Sequence, residues 1–312
     1  MGKPKLTIYK QVDKSYQELY EDYLKVAKIR NLSPVTIRTY KYHHNYWFRF
    51  VHEGLMCSEI NQKLVDEYRL HLLEKGLNAV SVNSYISNIS PVIKYGIEMG
   101  YIPHPISFKQ LTEEQKIKPI YTNEELEILL KKPNMRKCSF AEYRNWVIIN
   151  FLLGTGVRAR ELRNIKMKDV DLENDLISLQ VTKNRKARYI PIPPTLNKVL
   201  TEYIPLRQAK CEEDYLFCNQ YGEMLPRTTL QIAITKYCKK RGVNKYSLHL
   251  FRHTFATHYI KNGNPFVLQR ILGHQSMKMV NHYLQMNTKD LQENIALYNP
   301  LEQFSKNRIN VK

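Results

Sequence analysis

The sequence predicts a mainly α protein with a small antiparallel β-sheet, an α+β chain built from a helical first domain and a larger mixed second one. Three observations lead there. Helical apolar spacing fills the first hundred residues with no strand signal; the period changes to two short strand-like segments between 176 and 192; and helical patterns then return from Thr228 onward. A length of 312 residues with 43% hydrophobic and 25% charged residues is enough for two folded cores.

In the first domain, Tyr16, Leu19, Tyr20, Tyr23 and Leu24 repeat at helical spacing, and Ser33-Pro34 is a capped helix start with proline in the first turn. Further helices are expected over about Thr36 to Glu53, Asn61 to Lys75 and Ala79 to Met99, the last containing Pro91 as a possible kink. The stretch from Gly100 to Ser107 carries two prolines and little periodicity, and Thr112 to Lys118 is polar. The domain boundary is therefore placed near residue 110, giving a helical domain over 1–110, a linker over 111–119 and a second domain over 120–312.

The second domain starts at Thr122, a good helix cap followed by Glu124 and Glu125, which suit the positive end of a helix. Glu142 to Leu153 has the apolar density of a buried helix; Gly154-Thr155-Gly156 interrupts it before a basic amphipathic turn, Arg158 to Asn164. Leu176 to Val181 and Arg188 to Ile192 read as a hairpin with Lys183 near its tip. Helices are expected through His249 to Ile260, Pro265 to Leu272 and Thr288 to Tyr298.

The 48 Lys and Arg outnumber the 29 Asp and Glu, a net charge of +19 that favours a polyanionic partner, nucleic acid first. A ribosomal-type or merely basic protein would show the same excess. The second domain holds most of it, 31 basic against 17 acidic residues from 119 onward, compared with 17 against 12 before. Cys57, Cys138, Cys211, Cys218 and Cys238 form no pattern that suggests zinc or a disulfide framework, which fits a reducing cytoplasm. The apolar run around Trp146 to Leu153 is too short to cross a bilayer, and the first ten residues lack an apolar signal core, so neither membrane nor export is expected.

Breaking a phosphodiester without a metal requires a nucleophile, guanidinium groups on the non-bridging oxygens and an acid for the leaving 5′ oxygen. Arginine suits the clamp because its planar fork donates two bonds to phosphate and its charge is permanent. His249 and Arg252 lie three residues apart on an expected helix, so both can face one phosphate, although the same spacing fits any basic surface helix. Leu272-Gly273-His274 ends a helix at glycine, and Tyr283 follows nine residues later. A tyrosine that attacks phosphorus stores the bond energy in a phosphotyrosine, so rejoining needs no ATP. Composition alone does not select Tyr283 from 22 tyrosines.

Taken together, Thr155-Gly-Val-Arg-Ala-Arg-Glu-Leu162, His249-Leu-Phe-Arg-His-Thr-Phe-Ala-Thr-His258, and Leu272-Gly-His274 followed by Tyr283 resemble, in order and spacing, the signature boxes of the tyrosine site-specific recombinase (phage integrase) family. The likeness covers most of 119–290 and implies a tyrosine-recombinase catalytic domain behind a helical SAM-like core-binding domain. By that resemblance Arg158 and Arg252 clamp the phosphate, His249 hydrogen-bonds it and assists proton transfer, and His274 is the second histidine. Tyr283 is the nucleophile of a 3′-phosphotyrosyl intermediate, and Glu161 supports Arg158. Lys183 matches the hairpin lysine that acts as general acid, although its turn, Thr-Lys-Asn-Arg-Lys-Ala, departs from the glycine-rich form and leaves Lys186 as a neighbour.

The resemblance further implies double-stranded DNA at specific core sites as partner, a homotetramer exchanging strands through a Holliday junction, no cofactor and no metal, and a possible accessory directionality factor. Leu291, Ile295, Leu297 and Tyr298 would belong to a C-terminal helix that docks on a neighbouring protomer or on its own domain. With only a short basic segment before the helical domain, no separate arm-binding domain is expected. A mobile-element integrase, an Xer-type housekeeping resolvase, a related topoisomerase and a catalytically silent DNA-binding regulator are the readings to compare.

Overall fold

The computed structural model describes residues 13–112, 119–179 and 188–273. It divides into two units, Met1–Ile117 and Lys118–Lys312.

Among its described residues the first unit has four α-helices, α1 (Tyr16–Ile29), α2 (Pro34–Phe50), α3 (Gln62–Glu74) and α4 (Ala79–Glu98). Each starts where a short polar side chain takes an otherwise unpaired amide: Ser15 forms a capping box with Glu18, and Ser33, Asn61 and Asn78 accept from the amides of Thr36, Leu64 and Ser81. Pro91 lies inside α4 without ending it. Proline removes the donor that would have reached the Ser87 carbonyl, and the Ser90 hydroxyl donates to that carbonyl instead, at 3.3 Å.

Tyr16, Leu19, Trp47, Ile60, Tyr68 and Ile89 form the fully buried centre of this unit. Two histidines of α2 are buried as well. His44 sits between the Tyr16 hydroxyl (3.1 Å) and the Tyr40 carbonyl (2.8 Å), and burial lowers its pKa to about 4.

Residues 101–111, which lack periodicity, nevertheless pack on this unit. Ile102 is buried, Phe108 and Leu111 rest on the core, and Asn83 both donates to and accepts from the Leu111 backbone, at 2.9 and 2.8 Å. Gln62 likewise accepts from the Ser107 amide at 2.8 Å. Side chains of α3 and α4 thus replace the regular ladder that this segment lacks.

The second unit runs α5 (Asn123–Leu130), α6 (Phe140–Thr155), α7 (Ala159–Asn164), β1 (Val170–Asp171), β2 (Leu176–Leu179), β3 (Arg188–Pro191), α8 (Pro194–Arg207), α9 (Arg227–Lys240), α10 (Leu248–Asn262) and α11 (Pro265–Leu272). The sheet is antiparallel in the order β1-β2-β3, with Leu179 opposite Arg188 at the inner end of the hairpin. Helix α6 is central: Val147, Ile148, Ile149, Phe151 and Leu152 are all fully buried, so it is apolar on every side, as an enclosed helix must be.

Among the described residues, strand β1 and helix α8 lie beyond the sequence expectation. Strand β1 is two residues long and carries no readable period, and α8 is flanked and punctuated by Pro193, Pro194 and Pro205. Those prolines mimic a loop signal, yet Pro194 occupies the first helical turn, where no amide donor is needed.

Candidate active site

The site residues of the second unit come from three chain segments that meet at the end of α11. The first is the turn after α6. Gly156 caps that helix in a left-handed conformation, φ +62°, and a Cβ there would lie 2.3 Å from Phe255. Glycine is required on both counts. The turn delivers Arg158 as the N-cap of α7, where its backbone amide donates to Glu161 Oε2 at 2.8 Å and its guanidinium to Glu161 Oε1 at 3.1 Å.

The second segment is α10. Tyr121 stacks on Phe251, with ring centres 4.6 Å apart, and the Tyr121 amide donates to the buried Thr254 hydroxyl at 3.2 Å. With Phe251 and Ala256 also buried, the rotation of α10 about its axis is set. That rotation places Arg252, 2% exposed, against the interior, while His249 on the neighbouring turn is exposed. Arg252 donates to the carbonyls of Gly156 (2.7 Å) and Leu272 (2.9 Å).

The third segment is the C-terminus of α11, which Gly273 closes at φ +63°. Three consecutive carbonyls there face three different arginines: Ile271 accepts from Arg188 Nε (3.1 Å), Leu272 from Arg252, and Gly273 from Arg158 at a long 3.5 Å. The last carbonyls of a helix have no partner within it and carry the negative end of its dipole, so guanidinium groups are suited to them. Arg158, Arg188 and Arg252 are thereby gathered on one helix end.

Glu161 lies at the hub, 4% exposed. Burial pushes its carboxyl pKa up. The paired hydrogen bonds from Arg188, the Arg158 amide and the two guanidinium charges outweigh that and hold it below the usual carboxylate range. The arrangement is a buried anion flanked by cations, with one of them, Arg158, 27% exposed at its side chain.

The family model for the phage integrase family matches residues 120–290, more than half of the chain. The chain belongs to the phage integrase family. A second model, the phage integrase SAM-like domain, matches residues 25–111, ending where Asn83 holds the Leu111 backbone. Among relatives, tyrosine recombinase XerA of Pyrococcus furiosus is 28% identical over 91% of this chain and 95% of its own length. Tyrosine recombinase XerD of Staphylococcus epidermidis is 25% identical over 90% and 98%. Of solved structures, XerH site-specific recombinase bound to a palindromic difH substrate aligns with a TM-score of 0.67 and 25% identity over 91% of this chain and 85% of that one. The Tn1549 transposon integrase in complex with transposon right end DNA gives a TM-score of 0.72 at 19% identity, over 91% and 99%, a likeness of fold. This phage integrase family member is accordingly a tyrosine site-specific recombinase.

Of the site residues expected from the recombinase boxes, the structure brings Arg158, Glu161 and Arg252 into one connected set and puts His249 on the same helix as Arg252. Lys183, His274 and Tyr283, together with the expected C-terminal helix, lie outside the described residues. Arg188 is the site residue that sequence reasoning did not single out; it reads only as the start of a strand, and nothing in local periodicity signals a partner 27 residues away. Among the described residues, no group of three His, Cys, Asp or Glu side chains could hold a metal ion.

In the first unit, Arg38, Lys41, Tyr42, Asn45 and Arg49 are all exposed and follow helical spacing along one side of α2. Tyr42 and Tyr46 share a hydroxyl–hydroxyl bond at 3.2 Å, which braces this basic and aromatic face.

Proposed function

We propose that this recombinase cuts and rejoins DNA with Tyr283 as the nucleophile that forms a 3′-phosphotyrosyl linkage. Arg158 and Arg252 hold the scissile phosphate, His249 and His274 bond its oxygens, and Lys183 protonates the leaving 5′ oxygen. The observation that carries this reading is the convergence of Arg158 and Arg252 on the end of α11, because residue 274 follows that end directly. Two guanidinium groups fixed on the same helix end supply positive charge that needs no reorganisation as negative charge develops in the transition state, which supports a shared phosphate there. Glu161 supports Arg158 from within the protein.

The substrate is double-stranded DNA at specific core sites, gripped by both units. The cationic side of α2 supplies phosphate contacts from the first. The working assembly is a homotetramer on two DNA sites, passing through a Holliday junction, and the protein acts in the cytoplasm on a mobile element, with an accessory factor setting direction. A second reading, an Xer-type resolvase, is favoured by the relatives named XerD and XerA, which align along nearly their whole lengths.

The deciding experiment incubates the protein, without divalent metal, with a nicked suicide duplex carrying its native flanking DNA, and resolves the products on a denaturing gel. A covalent adduct with the wild type and none with Tyr283→Phe establishes the chemistry. Tight binding without an adduct in either protein would instead mark a DNA-binding regulator. Recombination of circular plasmid dimers, compared with excision of a flanked segment, separates the two biological readings.

A further inference from the structure

We propose that Arg188 is a positioning residue for the phosphate clamp: it holds Glu161 and the end of α11 together so that Arg158 stays aimed and the charge of Glu161 is offset. This rests on Arg158 being a phosphate ligand.

All three nitrogens of the Arg188 guanidinium are engaged inside the protein. Nη1 and Nη2 bond the two oxygens of Glu161 at 2.9 and 3.0 Å, and Nε bonds the Ile271 carbonyl at 3.1 Å. Its side chain is 12% exposed, against 27% for Arg158. With both Nη groups committed to Glu161 and Nε to the Ile271 carbonyl, Arg188 is built as internal scaffolding for its neighbour Arg158. The fit is close: a Cβ at Gly273 would lie 2.9 Å from Arg188 Nη1.

Charge gives the second argument. Arg158 and Glu161 alone sum to zero, so a carboxylate 3.1 Å from the guanidinium would offset much of its attraction for phosphate. Arg188 restores a net charge of +1 to the trio while leaving Glu161 ionised to orient Arg158. Connectivity gives the third. Arg188 opens β3 immediately after residues 180–187, which include Lys183, so one side chain ties that strand to α7 and to the end of α11.

The test uses full-length protein and the suicide duplex, reading DNA affinity and, separately, the rate of adduct formation at saturating DNA. Arg188→Ala should slow adduct formation about a hundredfold, the scale of a misplaced catalytic group, with affinity changed little. Arg188→Lys, which keeps the charge but not the paired bonds, should recover part of that rate. In an Arg158→Lys background, Arg188→Ala should reduce the rate little further, since both act through one clamp. Melting curves accompany each variant, and if Arg188→Ala does not fold, Arg188→Lys alone must still slow the rate at saturation. A wild-type rate in a folded Arg188 variant, or a loss fully additive with Arg158→Lys, overturns the proposal. A wild-type rate for Arg158→Lys itself would instead overturn the phosphate-clamp reading on which it rests.

Discussion

The buried guanidinium of Arg252 donates to the Gly156 carbonyl at 2.7 Å, joining α10 to the turn that ends α6. The bond depends on a backbone that only glycine adopts readily, and Phe255 fills the space where a side chain would stand. Gly156→Ala therefore meets both left-handed strain and overpacking, which together should destabilise the second unit by about 2 to 4 kcal/mol. Urea unfolding of the two proteins measures this; equal midpoints would mean that the turn relaxes freely.

Buried His44 makes the first unit sensitive to acid. Its pKa falls from the ordinary histidine value to about 4 on folding, so between those two values the unfolded chain binds the extra proton and the folded one does not. Stability is then highest above about pH 6.5 and declines as the pH falls toward 4, by roughly 3 kcal/mol in total. His44→Phe should flatten that part of the profile of unfolding free energy against pH. An unchanged slope would assign the dependence to other groups.

Asn83 holds Leu111 by two backbone hydrogen bonds and thereby ends the first unit's packed chain. Asn83→Ala removes both, leaving the Leu111 amide and carbonyl to water. Hydrogen exchange at the Leu111 amide should accelerate about fivefold or more, as a loss of about 1 to 3 kcal/mol of local stability requires. Exchange at the Val92 and Ile93 amides within α4 should stay slow; acceleration there too would indicate general unfolding rather than local release.

The net charge of +19 should make DNA binding steeply dependent on salt, because each neutralised phosphate releases counterions. Replacing Arg38 and Lys41 on the exposed side of α2 with alanine should reduce the slope of log affinity against log salt by about 2, one for each phosphate that then keeps its counterions. A slope identical to the wild type would remove that face from the interface.

Much of the fold is legible in sequence order. Ser33 and Thr122 mark helix starts because a short polar side chain can take an amide within the next turn, an interaction that is local in the chain. Helix α8 is not legible, since its prolines carry a loop signal whose meaning depends on which turn of the helix they occupy. Residues 101–111 read as connecting chain for a related reason: what secures them are Gln62 and Asn83, side chains of other helices.

By itself the sequence determined the helix starts at Ser33 and Thr122, the buried character of α6, the family boxes with Arg158, His249, Arg252 and the tyrosine at 283, and a charge suited to DNA. The caps and the apolar helix are written within a few turns of chain and the charge in plain composition, while the boxes are legible through their order and spacing. Only the tertiary structure decided that Arg158, Arg188 and Arg252 share the end of α11 and that Glu161 sits among them. Arg188 and Ile271 are 83 residues apart, and Arg158 and Gly273 are 115 apart. Hydrogen bonds across such separations follow from how helices pack, and no local pattern encodes them.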